Sequence, residues 1–287
     1  MKKLLYQLDT DALPSVFDNV VGYDGGADHI TALGGVTTLN VGALVEGAIF
    51  TRGPKDKQYT ALFIGGSNMS EGQALLAAVQ KKFFGKFRVS LMFDCNGCNT
   101  TSAAAVAWLT HDRSIAGQRA VVLAGTGPVG QRAAALLARE GARVAITGRK
   151  LEAVRAACEA IRARFAVEIE PIAAASQAER GAAVEGAQIV LATGAAGTPL
   201  LEARQWQESR SLILVADANA SPPAGIEGVQ ATDRGAERHG KTLYGALGFG
   251  ALKLALHRAC IARLFERNDL VLDAEEIHAL AKTMVGH

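Results

Sequence analysis

The amino-acid sequence predicts an α/β protein with two domains. Apolar strand-like runs alternate with segments of helical periodicity, and the alternation restarts after a polar, Gly-containing join at 112–118. After residue 245 the chain turns helical. Continuous apolar strands separated by helices imply parallel sheets covered on both faces.

In the first domain KKLLYQLD, YTALFIGG and FRVSLMFD read as strands, and SEGQALLAAVQKKFF reads as a helix. From residue 119, RAVVLAGTGPVGQRAAALLAREGARVAITGRK gives a buried strand, a glycine turn, an amphipathic helix ending at Gly141 and a second strand. The helix LEAVRAACEAIRARF follows, then VEIEPIAA, a helical segment, QIVLATG and LILVADAN. That succession is a Rossmann-type, doubly wound nucleotide domain. ALKLALHRACIARLFE and DAEEIHALAKTMV are expected to pack back on the first domain, leaving a cleft between the two. The boundaries drawn are 1–115 with 247–287 for an N-terminal open α/β domain completed by the C-terminal helices, and 116–246 for the nucleotide domain.

Composition sets limits. The 287 residues are 49% hydrophobic and 20% charged, as in compact folded proteins. Lys and Arg total 30 against 28 for Asp and Glu, and no stretch gathers them into a basic face. Nucleic acid and anionic membrane surfaces are therefore not expected partners. In MKKLLYQLDTD, Asp9 and Asp11 end the apolar run too early for a secretory signal, so it reads as a first strand. No apolar window has spanning length. Four unevenly spaced cysteines (Cys95, Cys98, Cys158, Cys260) suit a reduced cytoplasm better than a disulfide framework.

The loop Gly125-Thr126-Gly127-Pro128-Val129-Gly130 is GxGxxG, directly after VVLA and opening a periodic helix. In that context Gly125 makes the tight turn, Gly127 admits a pyrophosphate to the backbone, and Gly130 lets helix and strand close. The second strand ends Thr147-Gly148-Arg149-Lys150, without the acid that holds a ribose 2′-OH in NAD sites. Arg149 suits a bidentate grip on a 2′-phosphate and Lys150 adds a charge, so NADP is the expected cofactor. Thr193-Gly194-Ala195 and Asp217-Ala218-Asn219 end later strands, at the sheet edge expected to face the nicotinamide. Asp217 equally suits a structural cap.

No Ser…Tyr-x-x-x-Lys set appears, and His29, His111, His239, His257, His278 and His287 fall in no metal-ligand spacing. His257, beside Arg258 in a helix, reads as structural, and His287 is terminal. Lys253 has apolar neighbours at helical spacing in Phe249, Leu252 and Leu256. Spacing alone leaves it either snorkelling at a helix edge or directed into a site. In PSVFDNVVGYDGGAD (14–28), Phe17, Asp18, Tyr23 and Asp24 follow the first strand, where α/β ligand loops sit. They suit stacking on a heterocycle and accepting its N–H groups, or ordinary core and capping roles.

GTGPVG with GRK, the PSVFDNVVGYDGGADHIT opening, the NTT loop, Asn219 to Ile226 (NASPPAGI) and GALKLALHRACIARLFE together resemble one family. It is the NADP-dependent methylene-tetrahydromethanopterin dehydrogenase family of methylotrophic bacteria, and the resemblance covers nearly the whole chain. It implies hydride transfer from the methylene bridge of a reduced pterin to NADP⁺, giving the methenyl cation, in one-carbon (formaldehyde) metabolism. Some members also accept methylene-tetrahydrofolate. The resemblance assigns Lys253 to the reacting centre. It places the pterin against Phe17, Asp18 and the DCNGCNTT loop with Asp94, Asn96, Asn99, Thr100 and Thr101, and it implies a homo-oligomer. One departure is that Cys95 and Cys98 stand where small polar residues such as serine are expected.

Three alternatives compete: a dehydrogenase acting mainly on methylene-tetrahydrofolate, a dehydrogenase–cyclohydrolase, and a non-catalytic NADPH sensor. The CxxC of DCNGCNTT lacks a second ligand pair for zinc, and its place before the helix NTTSAAAVAWL leaves a redox dithiol open. The resemblance, which assigns the loop to pterin contact, implies that its cysteines are small residues on a substrate loop.

Overall fold

The computed structural model describes residues 1–286; His287 lies outside them. The chain divides into two units, Met1–Thr100 with Leu254–Leu280, and Thr101–Lys253 with the residues from Ala281 onward.

In chain order the first unit begins with β1 (Leu4–Asp9), α1 (Val16–Asp24), β2 (His29–Leu33), α2 (Val41–Phe50), β3 (Thr60–Gly65), α3 (Met69–Lys81) and β4 (Ser90–Phe93). A 3-10 turn, Cys95–Gly97, leads into α4 (Cys98–Thr110). The second unit carries β5 (Arg119–Leu123), α5 (Pro128–Arg139), β6 (Arg143–Gly148), α6 (Leu151–Phe165), β7 (Ile169–Ala173), α7 (Gln177–Val184), β8 (Ile189–Ala192), β9 (Leu214–Asp217), β10 (Arg234–Arg238) and β11 (Lys241–Gly245). Then follow α8 (Ala246–Arg263), β12 (Val271–Leu272) and α9 (Ala274–Met284).

The first sheet has the order β12-β4-β3-β1-β2 and is parallel throughout. Its strand order reverses between β1 and β3, so a crevice opens outside their carboxyl ends. β3 is buried along its whole length, as a strand covered on both faces must be. Leu8, Ile64, Leu91 and Phe93 pack there with Val45 of α2 and Leu75 and Val79 of α3. Each such side chain contributes about 1.5–3 kcal/mol by leaving water.

The second sheet has the order β10-β11-β9-β8-β5-β6-β7, parallel except for the β10–β11 pair. Its reversal point is β5, flanked by β6 and β8, so the loop after β5 faces the crevice. Val121, Val190, Val215 and Leu243 build its core around Trp206, whose indole N–H donates to Glu227 O at 2.9 Å.

Several elements depart from the sequence expectation. PSVFDNVVGYDGGAD holds a helix, because the Ser15 hydroxyl accepts the Asp18 N–H and caps α1. β2 is an edge strand with three of its five residues exposed, so it lacks an apolar run. β12 is two residues long and exists through its pairing with β4. The β10–β11 hairpin is polar on one strand and breaks register between Arg234 and Ala236. No described helix is long and apolar enough to cross a membrane.

Candidate functional site

Each glycine of the loop after β5 has its own steric reason. A Cβ on Gly125 would lie 2.8 Å from Ile146 Cβ, and one on Gly130 would lie 2.6 Å from Gly125 Cα and from Thr193 Oγ1. Gly127 differs: a Cβ there would meet nothing within 4 Å. That side of the turn is open space. Gly127 is also the N-cap of α5, with Pro128 as the first helical residue, whose missing N–H costs nothing there. Val129 and Gly130 follow in the first turn, where free N–H groups and the helix dipole attract anions. Thr126 is half-buried, and its carbonyl accepts the Gln131 amide at 2.7 Å.

β6 ends beside this loop. Gly148 lies close to Thr126, since a Cβ on it would come within 3.0 Å of Thr126 Cγ2. Arg149 and Lys150 are exposed, and neither has a side-chain hydrogen bond or ion pair among the described residues. No carboxylate ends the strand. An exposed cation pair with no ion-pair partner among the described residues suits an anion such as a 2′-phosphate better than a neutral 2′-OH.

At the carboxyl edge of β8, Thr193 donates its hydroxyl to Leu123 O at 3.0 Å, while Gly194 is held close to Leu200 and Ala195 is exposed. At β9, Asp217 is buried, and its carboxylate accepts the N–H groups of Asn219 and Ile226, both at 2.9 Å. Burial raises its pKa; the backbone N–H groups of Asn219, Ile226 and Gly225 oppose that rise. Asn219 donates to Pro223 O and accepts the Ser221 N–H, so its amide shapes the loop. This loop, with Val229 and Ala231, lines a cavity of about 200 Å³.

In the first unit the candidates gather at the carboxyl edge. Phe17 is 49% exposed, near the start of α1. Its ring lies 6.3 Å from that of His257, which is fully buried and stacks on Phe63 at 5.5 Å. Asp18 is half-buried, and its carboxylate lies close to Gly65 at the end of β3. Asp24, by contrast, pairs with Arg258 at 2.7 Å, at the other end of the helix.

The DCNGCNTT loop is largely self-satisfied. Asp94, Asn99 and Thr100 are all fully buried. Asp94 accepts the N–H groups of Asn99 (2.8 Å) and Thr100 (3.0 Å) and the Thr100 hydroxyl (2.6 Å), capping α4. Asn99 donates to Phe93 O and to Asp273. The exposed polar side chain is Asn96, in the left-handed region at φ 54° where Asn is tolerated. Thr101, half-buried, follows in α4.

Cys95 donates to Gly65 O at 3.2 Å, and burial, then Cys98 and the carboxylates of Asp94, Asp9 and Asp18, raise its pKa above the ordinary thiol range. A redox or metal thiol needs the opposite shift. No cluster of three His, Cys, Asp or Glu suited to a metal occurs among the described residues. Lys253 is half-buried on α8, and Phe249, Leu252 and Leu256 of the same helix are buried.

Comparison with known proteins gives these elements a context. The model of methylene-tetrahydromethanopterin dehydrogenase, N-terminal, matches residues 16–96. The chain is 57% identical over 285 residues to the "Bifunctional protein MdtA" of Methylorubrum extorquens, covering 99% of each. It is 29% identical to the NAD(P)-dependent methylenetetrahydromethanopterin dehydrogenase of the same organism, again over 99% of each. Among solved structures, quinate dehydrogenase from Corynebacterium glutamicum in complex with NAD aligns with a TM-score of 0.56 at 14% identity, over 100% of this chain and 99% of that one. A shikimate 5-dehydrogenase from Mycobacterium fortuitum gives 0.55 at 16%, over 98% of each. These structures share the Rossmann-type fold. The near-complete match to the first relative settles membership: the chain belongs to the methylene-tetrahydromethanopterin dehydrogenase family.

Proposed function

We propose that the chain is an NADP-dependent dehydrogenase that takes a hydride from the methylene bridge of methylene-tetrahydromethanopterin and leaves the methenyl cation, in one-carbon metabolism. The observation that carries this reading is the open Gly127 cradle beside the uncompensated Arg149–Lys150 pair. Family membership supplies the substrate class. The nucleotide half is assigned to 116–246, and the pterin half to 1–115 with 247–287.

Arg149 and Lys150 hold the 2′-phosphate. Gly125, Gly127 and Gly130, with the first turn of α5, take the pyrophosphate. Thr193, Gly194, Ala195 and Asn219 border the nicotinamide side. When bound, the nicotinamide supplies a hydride acceptor at C4. The positive charge left on the pterin is shared between two nitrogens, so no proton need move in that step. The residues therefore position and dry the reactants. Phe17 offers an exposed aromatic face for the pterin, Asp18 and Asn96 accept its N–H groups, and Lys253 orients it by hydrogen bonding. Asp94, Asn99 and Thr100 serve by fixing the loop that presents Asn96.

The test is reduction of NADP⁺ and NAD⁺ with methylene-tetrahydromethanopterin and with methylene-tetrahydrofolate in parallel. The expected result is NADPH formation, fastest with the methanopterin. Activity with the folate alone moves the assignment to the folate substrate, and NADPH binding without turnover of either pterin indicates a sensor.

A further inference from the structure

The turn that leads from β5 into the GxGxxG loop holds one residue left-handed. Ala124, between β5 and Gly125, has φ of 53°, a left-handed conformation that a Cβ disfavours. Its N–H donates to the Thr147 hydroxyl at 3.0 Å, and the Gly125 N–H donates to Thr147 O at 2.9 Å. Thr147 lies on β6 and is 1% exposed. On the other flank the Thr193 hydroxyl donates to Leu123 O.

A buried position in a parallel strand ordinarily takes Val or Ile, and a hydroxyl there must find a partner. Here the hydroxyl takes the amide of the one residue in the turn that is held in a disfavoured conformation. The next residue, Gly125, sits close to Ile146 and Val122 O, where a Cβ would lie 2.8 and 3.0 Å away, and its own φ is not left-handed, so the positive φ of the turn rests on Ala124.

We infer that Thr147 is a positioning residue for NADP: its hydroxyl locks Ala124 left-handed and so fixes the direction in which Gly125–Gly130 leave β5. This deepens the dinucleotide assignment of the proposed function and rests on it. Losing the bond frees Ala124 to relax to negative φ, which turns the Gly127 cradle away from the pyrophosphate.

NADPH titration by fluorescence on the full chain reads this directly. Thr147→Val, of nearly equal volume, is expected to weaken NADPH binding about tenfold, the effect of an orphaned amide. KM for NADP⁺ should rise in parallel, with kcat at saturating NADP⁺ within about twofold of wild type. Thr147→Ser, which keeps the hydroxyl, should bind as wild type does. Adding Ala124→Gly to Thr147→Val should recover at least about threefold of the lost affinity, because glycine reaches φ near 53° without the Cβ penalty. A merely structural loss would not respond to that second change.

NADPH binding by Thr147→Val within about twofold of wild type, or no recovery in the double variant, overturns the inference. Amide exchange in the unaltered chain gives an arm that needs no variant. The Ala124 amide proton should exchange about a hundredfold slower than an exposed one, and an unprotected amide also overturns it. The binding readout needs no pterin. An inactive chain that still binds NADPH sinks the proposed reaction and leaves this result standing, whereas a chain that does not bind NADPH sinks both.

Discussion

Replacing Arg149 and Lys150 by alanine separates the cofactor assignment from everything else in the molecule. Both side chains are exposed and make no hydrogen bond or ion pair among the described residues, so their loss is expected to leave the fold intact. A hydrogen bond to an ionised partner contributes about 1.5–3 kcal/mol. Solvent exposure puts Arg149 at the lower end, about tenfold in affinity. Lys150, a solvated point charge, adds about 0.5–1 kcal/mol, or roughly threefold. The double variant is therefore expected to raise KM for NADP⁺ about thirtyfold and leave KM for NAD⁺ within about twofold.

The assay is initial-rate kinetics with each nucleotide at saturating pterin, at low salt and again at about 0.5 M salt. Screening should shrink the NADP⁺ difference at the higher ionic strength. An unchanged NADP⁺ to NAD⁺ preference would refute the 2′-phosphate assignment, and equal losses for both nucleotides would relocate the pair to the pyrophosphate.

The remaining tests address the pterin half and the buried groups. Lys253→Ala should lower kcat at least about tenfold with NADPH affinity within about twofold; unchanged turnover would remove Lys253 from the reacting centre. With its thiol pKa raised by burial and nearby carboxylates, Cys95 should resist thiol reagents in the native protein at about pH 8 and react only on unfolding. Rapid native labelling, or tightly bound zinc, would contradict its role as a packed thiol. Burial also raises the pKa of Asp217. A carboxyl that binds its proton more tightly folded than unfolded stabilises the fold fully below the unfolded pKa, and that contribution is lost as pH rises through the folded one. Stability of the wild type relative to Asp217→Asn, from urea melts, should accordingly fall as pH rises above the ordinary carboxylate range, about 4; a rise there would mean the N–H groups outweigh burial.

The sequence disclosed those parts of the fold whose cause is local. α6 runs Leu151–Phe165, the whole of LEAVRAACEAIRARF, because periodicity and propensity agree along its length. β5, β6, β8 and β9 are apolar runs buried on both faces, and their order follows from the βαβ rule. β2 and β12 owe their existence to a neighbouring strand rather than to their own residues, so HITAL and VL carried no signal. α1 was hidden because its glycines and acids read as a loop, although Ser15 with Asp18 three residues later marks a helix start.

The candidate site divides along the same line. GTGPVG and GRK are legible because ligand and backbone both demand those residue types at that spacing. DCNGCNTT looked equally rich in ligand groups, yet most of its polar atoms serve the loop itself: Asp94 caps α4, Asn99 ties Phe93 to Asp273, and Cys95 fills the space that Gly72 of α3 leaves open. A Cβ at Gly72 would fall 2.1 Å from Cys95 Sγ. A serine at 95 would keep that volume and bring a hydroxyl more demanding of a partner than the thiol. Thr147 is the converse case. As a β-branched residue in a strand it gave no functional signal, because what it holds is a backbone angle, and left-handed Ala124 cannot be seen until the chain is folded. Polar residues in a ligand loop are therefore weak evidence of contact until their own hydrogen bonds are counted, and buried hydroxyls beside the loop need the same count.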